Sequence, residues 1–154
     1  MRLIIVIIAL LSTASTSLAQ EREWTLNTSE KEAFLVFGVP DTDDVGLSFW
    51  CEIGTNKTSL FINGAPLQLK QNQTATVTAT IDDKVFHLKA KAAVDRQGQR
   101  PSLEGQFKND DPILKAAENG SQLKVTVLSQ TNTYPLIDAD FVGLDRSCAG
   151  DAVN

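Results

Sequence analysis

Apolar and polar residues alternate with a period of two along most of the chain. In the segment 74–81, four threonines separate Ala75, Val77, Ala79 and Ile81. The same alternation recurs in the segments 47–53, 86–94, 103–107 and 123–127. Because successive side chains of a β-strand point to opposite faces of a sheet, this pattern predicts strands with one buried and one solvated face.

Turn-forming residues lie where the alternation stops. Asn63-Gly64 is a strong hairpin signal because both residues readily adopt a positive φ, so it predicts a hairpin between strands at 61–62 and 65–69. Further turns are predicted at Asp82-Asp83, 54–57 and 96–100. These segments, spaced by about ten residues, predict seven or eight short strands.

The segment 33–39 is apolar at nearly every position, which predicts a strand covered on both faces. With the alternating strands, it defines an all-β fold. We expect an antiparallel β-sandwich or an open barrel of seven to eight strands, formed by a single domain over residues 20–154.

One or two short helices are predicted near the C-terminus. Asp111 is a good N-cap, Pro112 suits the first helical turn, and Gly120 is placed to end the helix in the left-handed conformation. A second helix is predicted with Asp138 as its cap. Its apolar face is formed by residues at spacings of three and four, namely Phe141, Leu144 and Cys148.

Residues 1–19 have the pattern of a signal peptide. Arg2 gives a positive start, 3–11 is an unbroken apolar run, and Ala19 ends the segment with a small residue. At about 1.5 Å per residue the run is too short to cross a bilayer core of about 30 Å, so we expect no membrane span. The mature protein is therefore expected to begin at Gln20 and to be periplasmic or secreted.

Cys51 and Cys148 are the only two cysteines. Oxidising compartments allow thiols to pair, so export predicts a disulfide between them. A reactive pair would normally be a close Cys-x-x-Cys, and two cysteines with one histidine fall short of the four ligands of a structural zinc site. We therefore expect a structural bridge between an early strand and the terminal helix.

The charge and the motif content exclude several functions. The chain carries 14 Lys+Arg against 19 Asp+Glu, a net charge of −5, which argues against a nucleic-acid partner. Its single histidine, His87, lies on the polar face of a strand beside Lys89 and Lys91, so a Ser-His-Asp or Cys-His site is not expected. No phosphate-binding loop or zinc-protease motif is present. We expect neither catalysis nor a cofactor.

One local pattern resembles a calcium loop. Asp41, Asp43, Gly46 and Glu52 stand at its first, third, sixth and twelfth positions, and Asp44 adds a further carboxylate. However, Val45 replaces the oxygen ligand of the fifth position, and a strand follows instead of a helix. The pattern favours a polar turn between two strands, with loose calcium coordination by the three aspartates as the alternative.

The C-terminal part of the sequence resembles a known family. The run 112–127, followed by Phe141-Val142-Gly143-Leu144-Asp145-Arg146, is similar to the closing segment of the invasion-associated locus B family of exported bacterial proteins. The chain lacks that family's additional cysteines. The resemblance implies a periplasmic β-rich protein linked to the envelope or to host-cell interaction, with no catalytic residues to carry over.

Three classes of function remain open. The first is an exported binding or envelope-associated protein, whose partner is a protein or an envelope component. The second is an inhibitor of a secreted enzyme, for which the acidic composition suits a basic target such as a lysozyme. The third is a carboxylate-based hydrolase. Trp50, expected on the polar face beside Ser48 and Glu52, is the best candidate for a partner-binding residue, the alternative being that a second sheet or a helix covers it.

Overall fold

The computed structural model describes residues 21–94 and 101–150. The signal peptide and the turn expected at 96–100 lie outside the described residues. The strands are β1 (Glu23–Thr28), β2 (Glu32–Gly38), β3 (Val45–Glu52), β4 (Lys57–Ile62), β5 (Thr74–Ile81), β6 (Lys84–Ala93), β7 (Ser102–Lys108), β8 (Gln122–Val127) and β9 (Gln130–Pro135). The helices are α1 (Pro112–Asn119) and α2 (Phe141–Ala149).

All nine strands belong to one antiparallel sheet, in the order β1-β2-β3-β4-β7-β6-β5-β8-β9. The sheet curls into a half-barrel, and the helices pack against its inner face. The all-β antiparallel fold is therefore confirmed, and of the two expected architectures the structure corresponds to the open barrel. The described residues form nine strands, slightly more than the seven or eight expected, because β1 and β9 were not predicted.

The alternation of the sequence determines which side chains enter the core. In β5 the alanines, Val77 and Ile81 are buried, while the threonines point to the outer face and are partly or fully exposed. The register then places inward residues of neighbouring strands side by side, as Val77 beside Val127. Burial of these apolar side chains is the main stabilising term of such a sheet.

The two edge strands meet at one point of the half-barrel. The indole N–H of Trp24 in β1 donates a hydrogen bond to the carbonyl of Pro135 in β9. Nearby, Phe37 and Tyr134 pack edge to face, with ring centroids 5.7 Å apart. Side chains therefore join the sheet edges where no strand pairing does.

Both predicted helices are present, with different details at their ends. Asp111 caps α1 as expected, accepting a hydrogen bond from the Ile113 N–H at 3.0 Å. Gly120 is not left-handed, since its φ is −88° and the chain runs directly into β8 in an extended conformation. The N-cap of α2 is Asp140, not Asp138, because Asp138 has a φ of +68° and forms the preceding turn.

The predicted hairpin at Asn63-Gly64 is wrong. Gly64 has a positive φ, but Asn63 does not, and the amide of Asn63 instead donates to the carbonyl of Val45 at 2.8 Å. Strand β4 already pairs with β3 on one side and β7 on the other, so no free edge remains for a strand at 65–69. That segment is a loop in which Ala65 and Leu69 enter the core while Leu67 is exposed.

The turns at 54–57 and at Asp82-Asp83 are confirmed, the second with a φ of +52° at Asp82. The Asp82 carboxylate accepts hydrogen bonds from the hydroxyl of Ser121 at 2.7 Å and from the N–H groups of Ser121 and Gln122. These hydrogen bonds hold the pKa of Asp82 below its ordinary value of 3.8. The turn is thereby tied to the start of β8.

This contact predicts a pH-dependent contribution to stability. Asp82→Asn, which tolerates the positive φ, should lower the melting temperature at pH 7. Because the folded-state pKa is depressed, the stabilisation is present above the unfolded value and is lost as pH falls through the folded value. Thermal melts should therefore separate wild type from D82N at pH 7, and the two should converge once the pH falls below the folded-state pKa of Asp82. The neighbouring Asp83→Asn is the control, and an equal effect of D83N at pH 7 would contradict the assignment.

The disulfide between Cys51 and Cys148 is confirmed. It joins β3 to α2, with 5.8 Å between the two Cα atoms, and both cysteines are buried. In the described ranges, no helix is long and apolar enough to cross a membrane.

Candidate functional site

An aromatic cluster lies on the outer face of the half-barrel, away from the core. Phe34 of β2 and Trp50 of β3 are register partners, and their rings stack with centroids 6.0 Å apart and an interplanar angle of 18°. Val36 and Phe61 lie on the same face of β2 and β4, and all four side chains are half-buried. We call these four residues the aromatic platform.

Two serines of the outer face are buried beside the platform residues. Ser48 and Ser59 point to the outer face, yet they are only 7% and 2% exposed. The register places Ser48 between Val36 and Phe61, and Ser59 next to Trp50. These larger neighbours, together with Gln106 opposite Ser59 on β7, shield the serines from solvent.

The segment 33–39 was expected to be covered on both faces, and the structure corrects this. Its inward residues Ala33, Leu35 and Phe37 belong to the core, while Phe34 and Val36 are only half-buried on the outer face. The outward residues cover one another and their serine neighbours. Across 21–94 and 101–150, no helix or second sheet packs on the platform. Trp50 is thus on the outer face, as predicted.

A groove of about 270 Å³ adjoins the platform and shares Val36 with it. Its far wall is the turn between β2 and β3, which brings Pro40 and Asp41 over the outer face. Its floor includes Thr25 and Asn27 of β1. We call it the outer groove. Platform and groove together form a continuous surface with an apolar centre and a polar border.

The three aspartates of the calcium-like pattern do form a turn between strands. They do not converge, because Asp41 lines the outer groove while Asp44 points to the end of the half-barrel and binds Arg22, with 2.6 Å between Nη2 and Oδ1. Asp43 contributes its carbonyl to the Val45 N–H within the turn. Among the residues that the structure describes, no group of three or more His, Cys, Asp or Glu side chains is placed to hold a metal ion.

His87 is exposed on the outer face of β6, and its Nδ1 lies 3.2 Å from the Thr78 hydroxyl. The neighbouring Lys89 donates a hydrogen bond to the Thr76 hydroxyl at 2.8 Å. The polar face predicted for this strand is therefore a solvated surface of cross-strand pairs.

A second cavity, of about 300 Å³, opens at the end of the half-barrel, and sequence reasoning did not find it. We call it the end cleft. It lies between the Arg22–Asp44 ion pair and the inward side chains of β9, with Gly46 in its floor. The inward residues of β9 are Gln130, Asn132 and Tyr134.

Burial raises the pKa of the Tyr134 hydroxyl, while the charge of Arg22 and a hydrogen bond with Asn132 oppose the rise. The hydroxyl is thus neutral at physiological pH and can donate a hydrogen bond.

No family model matches the chain, and neither the characterised proteins nor the solved structures give a significant match. The resemblance of the C-terminal segment to the invasion-associated locus B family therefore stays a prediction. Function must be argued from the two surfaces described above.

Proposed function

We propose that the protein is an exported, periplasmic or secreted, binding protein, and that the aromatic platform and the outer groove hold a segment of a partner protein or envelope component. The observation that carries this proposal is the half-buried aromatic cluster on a sheet face that no described element covers. Tryptophan and other large aromatic residues are enriched at the centres of protein interfaces, because they bury much area at low entropic cost.

The charge around this surface favours a basic partner. The turn that walls the outer groove is rich in aspartate, and the chain as a whole carries a net charge of −5. A partner with an apolar side chain for the groove and flanking lysines or arginines matches both features. Such complementarity speeds association and weakens as salt rises. A secreted basic enzyme such as a lysozyme meets this description, so the inhibitor hypothesis uses the same surface.

Export is supported by the leader-like residues 1–19 and by the disulfide, which forms readily in an oxidising compartment. Isolated from its native source, the mature protein should begin at Gln20 and weigh two hydrogens less than the dithiol form. An N-terminus at Met1, or two free thiols, would contradict export.

Substitutions on the platform test the binding proposal. Removing both stacked rings, in Phe34→Ala/Trp50→Ala, should weaken partner binding at least about tenfold, because the rings would be the centre of the interface. Immobilised wild-type protein and the variant are incubated with native envelope extract and, separately, with lysozyme. Retained proteins are identified by mass spectrometry, purified and titrated against each variant.

Val85→Ala is the matched control, since Val85 is an exposed apolar residue on β6, far from the platform. It should leave affinity unchanged. Asp41→Asn, which keeps the positive φ of this turn residue, should slow association at low salt. A partner bound equally by wild type and by the double variant, while circular dichroism shows both folded, would place the interface elsewhere and overturn the proposal.

A further inference from the structure

We propose that the end cleft is a binding site for a single neutral sugar ring. This goes beyond the proposed function, because the cleft lies at the end of the half-barrel, separate from the outer face, and offers hydrogen bonds where the platform offers apolar area. Five chain segments meet at the cleft: the residue before β1, the end of β2, the start of β3, the turn after β4, and β9.

Polar side chains point inward in β9, where the neighbouring strand is apolar. Asn132 is the register partner of Val125, and Gln130 is the register partner of Val127, both valines being buried in the core. Inward amides destabilise a fold unless they are hydrogen-bonded. Two such bonds are internal: Gln130 Nε2 donates to the carbonyl of Gly64 at 2.9 Å, and the Asn132 side chain bonds with the Tyr134 hydroxyl. Both residues line the cleft, and an amide has more hydrogen-bonding groups than these internal bonds use, so each side chain can also bind a ligand.

The charges of the cleft balance each other. Arg22 directs Nε and Nη2 at the carboxylate of Asp44, and both side chains are 47% exposed. Its Nη1 lies against the floor, 3.6 Å from where a Cβ on Gly46 would be. A charged ligand gains no net attraction from this pair. Neighbouring hydroxyls of a neutral ligand, in contrast, can accept from the guanidinium and donate to the carboxylate.

The size and the wall of the cleft fit one ring. A volume of about 300 Å³ is at the lower end of the range for small-molecule sites, which excludes a long chain as the fully enclosed ligand. Phe37 and Tyr134 form part of the wall, but they are only 9% and 5% exposed, so the surface of the cleft is mostly polar and suits the hydroxyls of a sugar ring. Because Gly46 has no side chain, the floor stays open beside Tyr134 and Arg22.

Nuclear magnetic resonance titration of the ¹⁵N-labelled mature protein tests the site. The probes are glucose, galactose and N-acetylglucosamine, with glucuronate and glucosamine as charged analogues and glycerol as a polyol without a ring. We expect at least one neutral sugar to shift the side-chain amide signals of Asn132 and Gln130 and the backbone signal of Gly46, with the charged analogues binding at least about fivefold more weakly.

Substitutions at two positions, Asn132 and Gly46, tie the chemical-shift changes to the cleft. Asn132→Ala should weaken binding at least about tenfold, and Asn132→Asp, which keeps the shape of the side chain, should do the same if the alanine variant unfolds. Gly46→Ala places a methyl group between Tyr134 and Arg22, in ordinary contact with both, and should reduce affinity without unfolding the chain. Phe34→Ala/Trp50→Ala should leave sugar binding unchanged.

Three results would overturn the proposal. The first is the absence of shifts at the cleft with every neutral sugar at saturating concentration. The second is equal or tighter binding of glucuronate or glucosamine. The third is binding that survives in both folded variants, Asn132→Asp and Gly46→Ala.

Discussion

Replacing Cys51 and Cys148 together by alanine is expected to lower the free energy of unfolding by up to about 4.7 kcal/mol. The bridge closes a loop between residues 97 apart in sequence, and in the chain-entropy model a loop of this length constrains the unfolded chain strongly. Folded domains are stable by only about 5–15 kcal/mol, so the loss is a large part of the total. The variant should still fold, because α2 keeps other contacts.

Those other contacts define what the variant retains. The carbonyl of Cys148 accepts a hydrogen bond from the Gly54 N–H at 2.9 Å, which does not depend on the sulfur atoms. Phe141 and Leu144 remain buried against the sheet. The helix should therefore dock in the variant, and only the covalent constraint is lost.

Urea unfolding followed by circular dichroism measures the effect. Wild type and the double alanine variant are each unfolded with and without a reductant. Reductant should move the wild-type midpoint toward that of the variant and should leave the variant unchanged. A wild-type midpoint equal to that of the variant under non-reducing conditions would show that the bridge does not stabilise the protein.

The disulfide could be predicted because the sequence has only two cysteines and its first residues predict export. Strand β5 could be predicted because its threonines and apolar residues alternate without interruption. Helix α1 could be predicted because the Asp111-Pro112 pair is a local signal for a helix start. In each case the deciding information lies within a few neighbouring residues or in composition.

Strand β9 could not be predicted in this way. Its sequence, Gln-Thr-Asn-Thr-Tyr-Pro, is polar at nearly every position, so no alternation marks its inner face. It is a strand because β8 offers a free edge for pairing and because Tyr134 packs on Phe37 from a distant strand. The hairpin at Asn63-Gly64 was predicted wrongly for the same reason. Strand β4 pairs with β7, which is distant in sequence, and no local signal indicates this pairing.

The candidate sites, too, include features that neighbouring residues predict and features that depend on the folded sheet. Trp50 could be placed on the outer face from its position in an alternating strand. Its stacking partner Phe34 could not be identified, because cross-strand neighbours depend on the register of β2 with β3. The end cleft was beyond prediction, since Arg22 and Asn132 come together only when the sheet curls.

The core beneath α2 should be the most sensitive part of the molecule to a single truncation. Phe49 is 1% exposed, and its ring lies 5.0 Å from that of Phe141 and 6.4 Å from those of Trp24 and Phe107. Phe49→Ala removes the centre of this cluster and leaves a cavity under the helix. We expect a loss of about 3–5 kcal/mol in the free energy of unfolding.

Phe61→Ala is the matched control because it deletes the same side chain from the outer face, where it is only half-buried. Urea titration at constant pH should give a clearly smaller loss for Phe61→Ala than for Phe49→Ala. Adding Phe141→Ala in a double-mutant cycle should reveal a coupling of about 0.5–1.5 kcal/mol between the two rings. Equal losses for Phe49→Ala and Phe61→Ala would mean that both faces of the sheet are covered equally well. The outer face would then no longer be an open surface for a partner, and the binding proposal would lose its main support.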